Sequence, residues 1–380
     1  MRSYLTWMSM LLALNLLSCL EVAEERALLE ERVGQATQAG LELQVEHGAS
    51  AIRAVRRVGA EVSVDLWAQQ PTQRLFIRRS PGAEGAEVRS LRLSWHNVMS
   101  GVTVKVEGPS GAPVEAERLT VEGAPVTLLT ARVPLASDTL TLSLTPPEPP
   151  QGSAWRVGVF ADVQERLDGL SELLKPLGEE PVRFCLISGD LTEQGSKVAL
   201  TTFQAGLERH LPFPCYATLG NHELGTPGPP FHALFGRGSG SFRYGGARVT
   251  LLDDASATLA PRTRERLNGW LAEGREQLHL IVTHLPILDA DGTRSGAFAS
   301  RLEAIELLAT LAEGGVDLLL YGHVHTFKSF VQAGIPALIS GGGGSIPMRF
   351  DGVGRHYVVL ELDPVRQTTA HRVQEVSPEE

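Results

Sequence analysis

Five short polar stretches of this chain hold side chains able to bind metal ions and move protons. They are Asp162-Val163-Gln164, Gly189-Asp190, Gly220-Asn221-His222-Glu223, Thr283-His284 and Gly322-His323-Val324-His325. Together they offer the carboxylates of Asp162 and Asp190, the carboxamides of Gln164 and Asn221, and the imidazoles of His222, His284, His323 and His325. Oxygen and imidazole donors in such a mixture suit borderline divalent ions such as Mn²⁺, Fe²⁺ or Zn²⁺. A histidine among them can also carry a proton near neutral pH. Any one stretch alone reads as a polar turn, a helix cap or a structural histidine. What sets them apart is that each directly follows an apolar run.

Those runs are Trp155–Ala161, Val182–Ser188, Cys215–Leu219, Leu278–Thr283 and Val316–Tyr321. They alternate with helical spacings, and the alternation predicts an α/β layered domain with at least partly parallel strands. The expected helix faces carry Leu167, Leu170, Leu174 and Leu177, then Leu200, Phe203 and Leu207, then Leu267, Trp270 and Leu271, then Leu302, Ile305, Ala309 and Ala312. In open α/β sheets the ligand crevice lies outside the carboxyl ends of the strands. All five polar stretches then share one edge. Cys185 and Cys215, inside two of the runs, are expected as neighbouring buried thiols.

Upstream the period changes. Between residues 51 and 147, Val62, Val64 and Leu66, then Leu91, Leu93 and Trp95, then Val102, Val104 and Val106, then Leu140, Leu142 and Leu144 alternate with polar residues. Short half-buried strands separated by Gly and Pro turns predict an antiparallel β-sandwich. Its role is a spacer, a substrate-positioning module or a carbohydrate- or partner-binding surface; Trp95 and His96 read as core and surface. Pro146-Pro147-Glu148-Pro149-Pro150 marks the boundary, with 148–152 a stiff linker and 153–376 the α/β domain. Residues 19–50, rich in Glu and Ala, read as a tether.

The N-terminus reads as a processing signal. Arg2 precedes the apolar run Met8–Leu17, too short to span a bilayer, and Leu16-Leu17-Ser18-Cys19 resembles the lipobox of bacterial lipoproteins. That resemblance implies a signal peptide over 1–18, a lipid anchor in the membrane through Cys19, and a place in the exported cell envelope, on the periplasmic or surface side. An ordinary secretory signal or an uncleaved anchor are the alternatives. The 380 residues carry a net charge of −10, with 43% hydrophobic and 21% charged residues. An ordinary globular composition follows, and the acidic balance argues against a broad nucleic-acid surface.

The five blocks together resemble the calcineurin-like metallophosphoesterases over residues 155–363. The resemblance implies a four-layered metallophosphoesterase sandwich, two mixed sheets flanked by helices, here preceded by the small all-β domain. It implies two divalent metal ions, one held by Asp162, Gln164, Asp190 and His325, the other by Asp190, Asn221, His284 and His323, with Asp190 bridging. It also implies hydrolysis of a phosphomonoester or phosphodiester, with a metal-bound hydroxide as nucleophile and His222 contacting phosphate or protonating the departing alcohol. Glu193 stands where the protein phosphatases of the family have an Asp that orients this His.

Departures from the family pattern narrow the reading. Gln164 replaces the usual His, a neutral and weaker donor that shifts preference toward Mn²⁺ or Fe²⁺. Gln194 stands where protein Ser/Thr phosphatases carry a phosphate-binding Arg, and Glu193 where purple acid phosphatases carry Tyr; both count against those classes. Gly341–Gly344 reads as a mobile turn, and Arg237, Arg243 and Arg349 as surface charge with a phosphate-binding alternative. A scaffold of this fold without activity is the second reading of the whole, and a binding module led by the β-sandwich the third.

Overall fold

The computed structural model describes residues 19–80, 88–226, 228–289, 296–348 and 353–376. The expected signal peptide and Arg349 lie outside the described residues. From Trp155 onward the chain builds two sheets packed face to face. The first runs in the order Cys215–Ala217, Cys185–Ile187, Trp155–Phe160, His356–Asp363, Thr368–Glu375, with its first three strands parallel. The second runs Gly240–Tyr244, Ala247–Leu251, Leu278–Val282, Leu318–Tyr321, Ile335–Ser340, Phe327–Gln332, with its four middle strands parallel.

Side chains alternate across each strand, so each strand serves two layers of core. Val157, Leu186 and Tyr216 meet Val249, Leu280 and Leu318 between the sheets. On the outer face of the first sheet, Phe160, Ile187 and Ala217 pack against the helices Leu170–Gly178 and Lys197–His210. Outside the second, Ile281, Leu319 and Ile339 pack against Pro261–Gly274 and Arg301–Glu313. The result is helix, sheet, sheet, helix, the α/β layering that the sequence pattern predicts in the four-layered form that the resemblance implies. Each fully buried Leu or Phe in these layers contributes about 1.5–3 kcal/mol. Local signals start the helices: Ser196 Oγ accepts from Ala199 N–H, Ser300 Oγ accepts from Glu303 N–H, and Pro261 occupies a first-turn position.

One helix turns a different face inward. Leu302, Ile305, Ala309 and Ala312 are exposed, while Ala304, Leu307, Leu308 and Leu311 are buried. The segment is apolar on most of its circumference, so spacing alone cannot choose the stripe; contact with the sheet does. The cysteines behave as expected. Cys185 and Cys215 face each other on adjacent strands as free, buried thiols.

The N-terminal segment departs most from the sequence reading. Residues 19–30 are helical, and the helix is docked rather than a loose tether. Arg26 forks onto Asp253 at 2.8 and 2.9 Å, both side chains buried. Glu30 accepts from Ser239 N–H at 2.7 Å, and its backbone carbonyl accepts from Arg237. Burial, with Asp253 adding to it, pushes the Glu30 carboxyl up to about 7 against the opposing pull of Ser239, Arg237 and Arg266. Charged residues read as solvated in sequence; here they have buried partners. Arg237 is thereby committed to this helix.

Residues 35–50 also belong to the β region. Gln35–Gln38 and Leu41–Val45 join Gln73–Arg79, Thr139–Thr145 and Thr103–Glu107 in one five-stranded sheet. The other holds Ser50–Val58, Glu61–Ala68, Ser90–His96, Leu129–Pro134 and Glu117–Leu119. The sandwich thus begins before residue 51, and it is not wholly antiparallel, because Glu61–Ala68 and Ser90–His96 run parallel. Period-two patterning fixes which residues point inward but not strand direction.

This β region braces the first sheet of the α/β domain. The strand Cys215–Ala217 lies at a sheet edge, where unpaired backbone groups need partners. Asn97 Nδ2 donates to Cys215 O at 2.7 Å and Asn97 Oδ1 accepts from Cys215 N–H at 2.8 Å. Gln69 does the same to Ala217, at 2.9 and 3.3 Å. His96 contacts Glu208 on the helix Lys197–His210, so it is an interface residue rather than free surface. The Pro-rich linker is docked as well, with Tyr244 Oη donating to Pro147 O.

Candidate metal centre

The two sheets deliver different chemistry to their shared edge. Asp162, Gln164, Asp190, Asn221 and His222 follow strands of the first sheet; His284, His323 and His325 follow strands of the second. Four of these residues are held in the left-handed region, with φ of 62° at Asp162, 46° at Gln164, 52° at Asp190 and 66° at His323. A non-glycine residue there costs about 1–2 kcal/mol. A mesh of hydrogen bonds holds them: Asp162 N–H to Gly189 O, Val163 N–H to Asp190 O, and His323 N–H to Asp162 Oδ2. The glycines allow the close approach. A Cβ on Gly220 would stand 2.1 Å from Asp190 Oδ1, and one on Gly322 2.8 Å from Asp162 Oδ2.

The carboxylate of Asp190 is the hub. Oδ1 accepts from His222 N–H at 2.9 Å, and Oδ2 lies 3.3 Å from His284 Nε2 and 3.9 Å from His222 Nε2. Asn221 Oδ1 stands 3.0 Å from His284 Nε2. Donor atoms of Asp190, His284 and His323 all lie within 4.8 Å of one another, and all three residues are buried. On the other side His325 Nε2 is 3.6 Å from Asp162 Oδ1, and Gln164 Nε2 donates to Asp190 Oδ2 at 2.7 Å. All seven expected ligands are therefore brought together. They form two groups meeting at Asp190.

The imidazoles are preset. Each of three rings turns Nδ1 to a backbone carbonyl: His284 to Ser188 O at 2.8 Å, His325 to Ile346 O at 2.9 Å, His222 to Glu193 O at 2.8 Å. With Nδ1–H donating, the lone pair of the neutral ring is on Nε2, facing the centre, which is how metal-binding histidines are usually oriented. Burial alone would push the His284 imidazole down; the adjacent Asp190 carboxylate reverses this and holds it well above its ordinary value. Asp190, despite burial, is held below the usual carboxylate range by His284 and His222. Such a site favours positive charge, and the donors fit a divalent cation.

Glu193 is placed differently from its expected role. Its backbone carbonyl, not its carboxylate, takes the His222 Nδ1–H, and the carboxylate stands 3.6 Å from that nitrogen. Of the other candidates, Arg243 is exposed on the strand Gly240–Tyr244. Gly341–Gly344 is a packed turn rather than a mobile one: Gly343 N–H donates to Ala161 O, and a Cβ on Gly341 would lie 2.2 Å from Val324 O.

Three supporting residues went unassigned in the sequence reading. Glu223, fully buried, accepts from the N–H groups of Asp190, Gly220 and Thr192 at 3.0, 2.9 and 3.2 Å, tying two ligand loops together. Burial and the neighbouring Asp190 push its carboxyl up to about 8 against these N–H groups. Asp254 plays the same part in the second sheet, accepting from His284 and Leu285 N–H; burial pushes it up to about 7. Ser345 donates to Gln164 Oε1 at 2.7 Å. Glu223 closes the tetrapeptide Gly220–Glu223, and Asp254 follows a sixth apolar run, so the rule that found the ligands reaches both.

Comparison with known proteins gives one family match and a set of distant structural likenesses. Residues 156–327 match the model of the calcineurin-like phosphoesterase family, a span that contains every expected ligand and supports the family assignment. The fold resembles that of a purple acid phosphatase from yellow lupin (Lupinus luteus) seeds, with a TM-score of 0.51 at 15% identity over 83% of this chain and 79% of that one. A dimetal phosphatase from Danio rerio aligns at 14% identity over 59% of this chain and 99% of that one, TM-score 0.45. PhoD aligns at 12% identity over 82% and 90%, TM-score 0.45. No curated protein matches by sequence.

Proposed function

We propose that this chain is a metal-dependent hydrolase of phosphate esters. The observation that carries the reading is the convergence of Asp190, His284 and His323, with Asn221 alongside, at the carboxyl ends of two sheets. These four residues would hold a divalent ion. When bound, such an ion polarises a phosphoryl oxygen and brings the ionisation of water toward neutral pH. The chain's own groups do the rest. Asp190 orients His222 through the backbone N–H, and Glu193 O fixes the ring by its Nδ1. His222 Nε2 is then the nitrogen turned to the centre, positioned to contact a phosphate oxygen and hand a proton to the departing alcohol. His222 is partly exposed whereas His284 is buried, in keeping with one ring meeting substrate and the other an ion.

We also propose that Cys19 is lipidated and that the protein sits in the exported cell envelope. The docked helix that starts at Cys19 in the described residues would then hold the catalytic domain close to the bilayer. Among the described residues no helix is long and apolar enough to cross a membrane. Mass spectrometry of the N-terminal peptide tests this: a diacylglyceryl adduct on Cys19 supports it, and an unmodified thiol contradicts it.

Activity is tested by stripping the purified protein with chelator and reloading it with Mn²⁺, Fe²⁺ or Zn²⁺. p-Nitrophenyl phosphate and bis-p-nitrophenyl phosphate then report monoesterase and diesterase turnover. Metal-restored hydrolysis that disappears in Asp190→Asn is expected. A protein that binds no metal and hydrolyses neither ester would be the inactive scaffold.

A further inference from the structure

Gln164 is where the two donor groups differ. Its side chain is 4% exposed, and both ends of the carboxamide are engaged. Nε2 donates to Asp190 Oδ2 at 2.7 Å and stands 3.3 Å from His325 Nε2; Oε1 accepts from Ser345 Oγ at 2.7 Å. Partners decide which end of a carboxamide is which. An ionised carboxylate offers only lone pairs, so Asp190 calls for the NH₂ end. The Ser345 hydroxyl supplies a proton to the carbonyl end. Ser345 is itself anchored, its backbone N–H donating to Asp162 O at 2.9 Å.

A hydrogen-bond donor therefore stands between Asp190 and His325, where an ion shared by those two would be ligated. Oxygen and nitrogen ligands approach such ions to about 2.0–2.2 Å, and paired ions flanking one carboxylate stand about 3.5–4 Å apart. An amide nitrogen 2.7 Å from Asp190 Oδ2 fills that space and uses that lone pair. Among the described residues, Asp190, His284 and Asn221 face one another at 3.0–3.3 Å through an imidazole nitrogen and two oxygens, all of which become lone-pair donors once His284 Nε2 gives up its proton, with no carboxamide N–H between them.

We infer that the centre is built for one divalent ion, held by Asp190, Asn221, His284 and His323, with the Gln164 carboxamide replacing a second ion by its hydrogen bond to Asp190. The inference rests on the metal-centre reading above and departs from the two-ion expectation drawn from family resemblance.

Metal content decides it. The purified protein is dialysed to saturation against Mn²⁺, counted by inductively coupled plasma mass spectrometry, and examined by electron paramagnetic resonance. The wild-type chain should hold one ion and show the six-line spectrum of isolated Mn²⁺. Gln164→His should double the count and give the multiline spectrum of an exchange-coupled pair. Gln164→Glu, of the same length but without the N–H donor, serves if the His variant misfolds and should also take up a second ion. Two ions or none in the wild type, or a folded variant that still holds one, would overturn the inference. Turnover of p-nitrophenyl phosphate on the same samples keeps the two claims apart: one ion without turnover removes the hydrolase and leaves the one-ion centre standing.

Discussion

The two sheets of the α/β domain are built alike and contribute unlike chemistry. The first supplies the carboxylates and carboxamides, three of them on residues in left-handed backbone, Asp162, Gln164 and Asp190, together with one partly exposed imidazole, His222. The second supplies imidazoles, with His323 alone among them left-handed. Each sheet also places a buried carboxylate against the N–H groups of its ligand-bearing loops, Glu223 in the first and Asp254 in the second. The difference teaches where precision is needed. A short carboxylate must be brought to the ion by its backbone, so strain and clamps concentrate on the first sheet. A long, flat imidazole is aimed by one hydrogen bond at Nδ1, and a backbone carbonyl suffices.

Removing the hub should have the largest effect. Asp190→Asn should lower phosphate-ester turnover by on the order of 10³-fold and weaken metal binding, because the one residue shared by both donor groups loses its charge. Replacement on one side only, Asp162→Asn, should cost less; equal losses would erase the distinction between hub and flank. Next comes His222→Ala, expected to lower turnover by about 10²-fold or more at unchanged metal content. A parallel fall in bound metal would make His222 a ligand rather than the proton carrier.

The clamps separate the sheets by stability rather than chemistry. Glu223→Ala strands three buried N–H groups and Asp254→Ala two, each worth about 1–3 kcal/mol. Urea denaturation should therefore show the greater loss for Glu223→Ala, several kcal/mol, and equal losses would contradict the asymmetry.

The smallest effect concerns a histidine of the second sheet that the centre does not use. His279 is buried against Thr250, and burial, with Arg248 adding to it, pushes its pKa down to about 4. The unfolded chain takes up a proton near 6.5 while the folded chain resists until about 4, so stability from this group is complete above 6.5 and is lost as pH falls through that window. The cost at pH 4 is on the order of 2–3 kcal/mol. Melting temperatures followed from pH 7 to 4 should fall less steeply for His279→Gln than for the wild type.

Much of this was legible from residues alone, because strand ends in α/β sheets are a topological fact that apolar runs reveal. The eight polar side chains gathered at that edge followed from that rule. What escaped depends on contacts between distant segments. The face of Arg301–Glu313 is chosen by the sheet beneath it, and the helix over residues 19–30 is held by Asp253 and Ser239, more than two hundred residues away. The carboxamide of Gln164 is the sharpest case. Its sequence position marked it as a weak ligand, and only Ser345 and Asp190 show which end faces inward.

X-ray absorption spectroscopy of the protein loaded with Zn²⁺ or Mn²⁺ tests the division between the sheets most directly. An ion bound by two imidazoles of the second sheet and oxygens of Asp190 and Asn221 should show two nitrogen ligands of imidazole type, and in His284→Ala one. A spectrum without imidazole scattering, or one unchanged in His284→Ala, would contradict the metal centre assigned here.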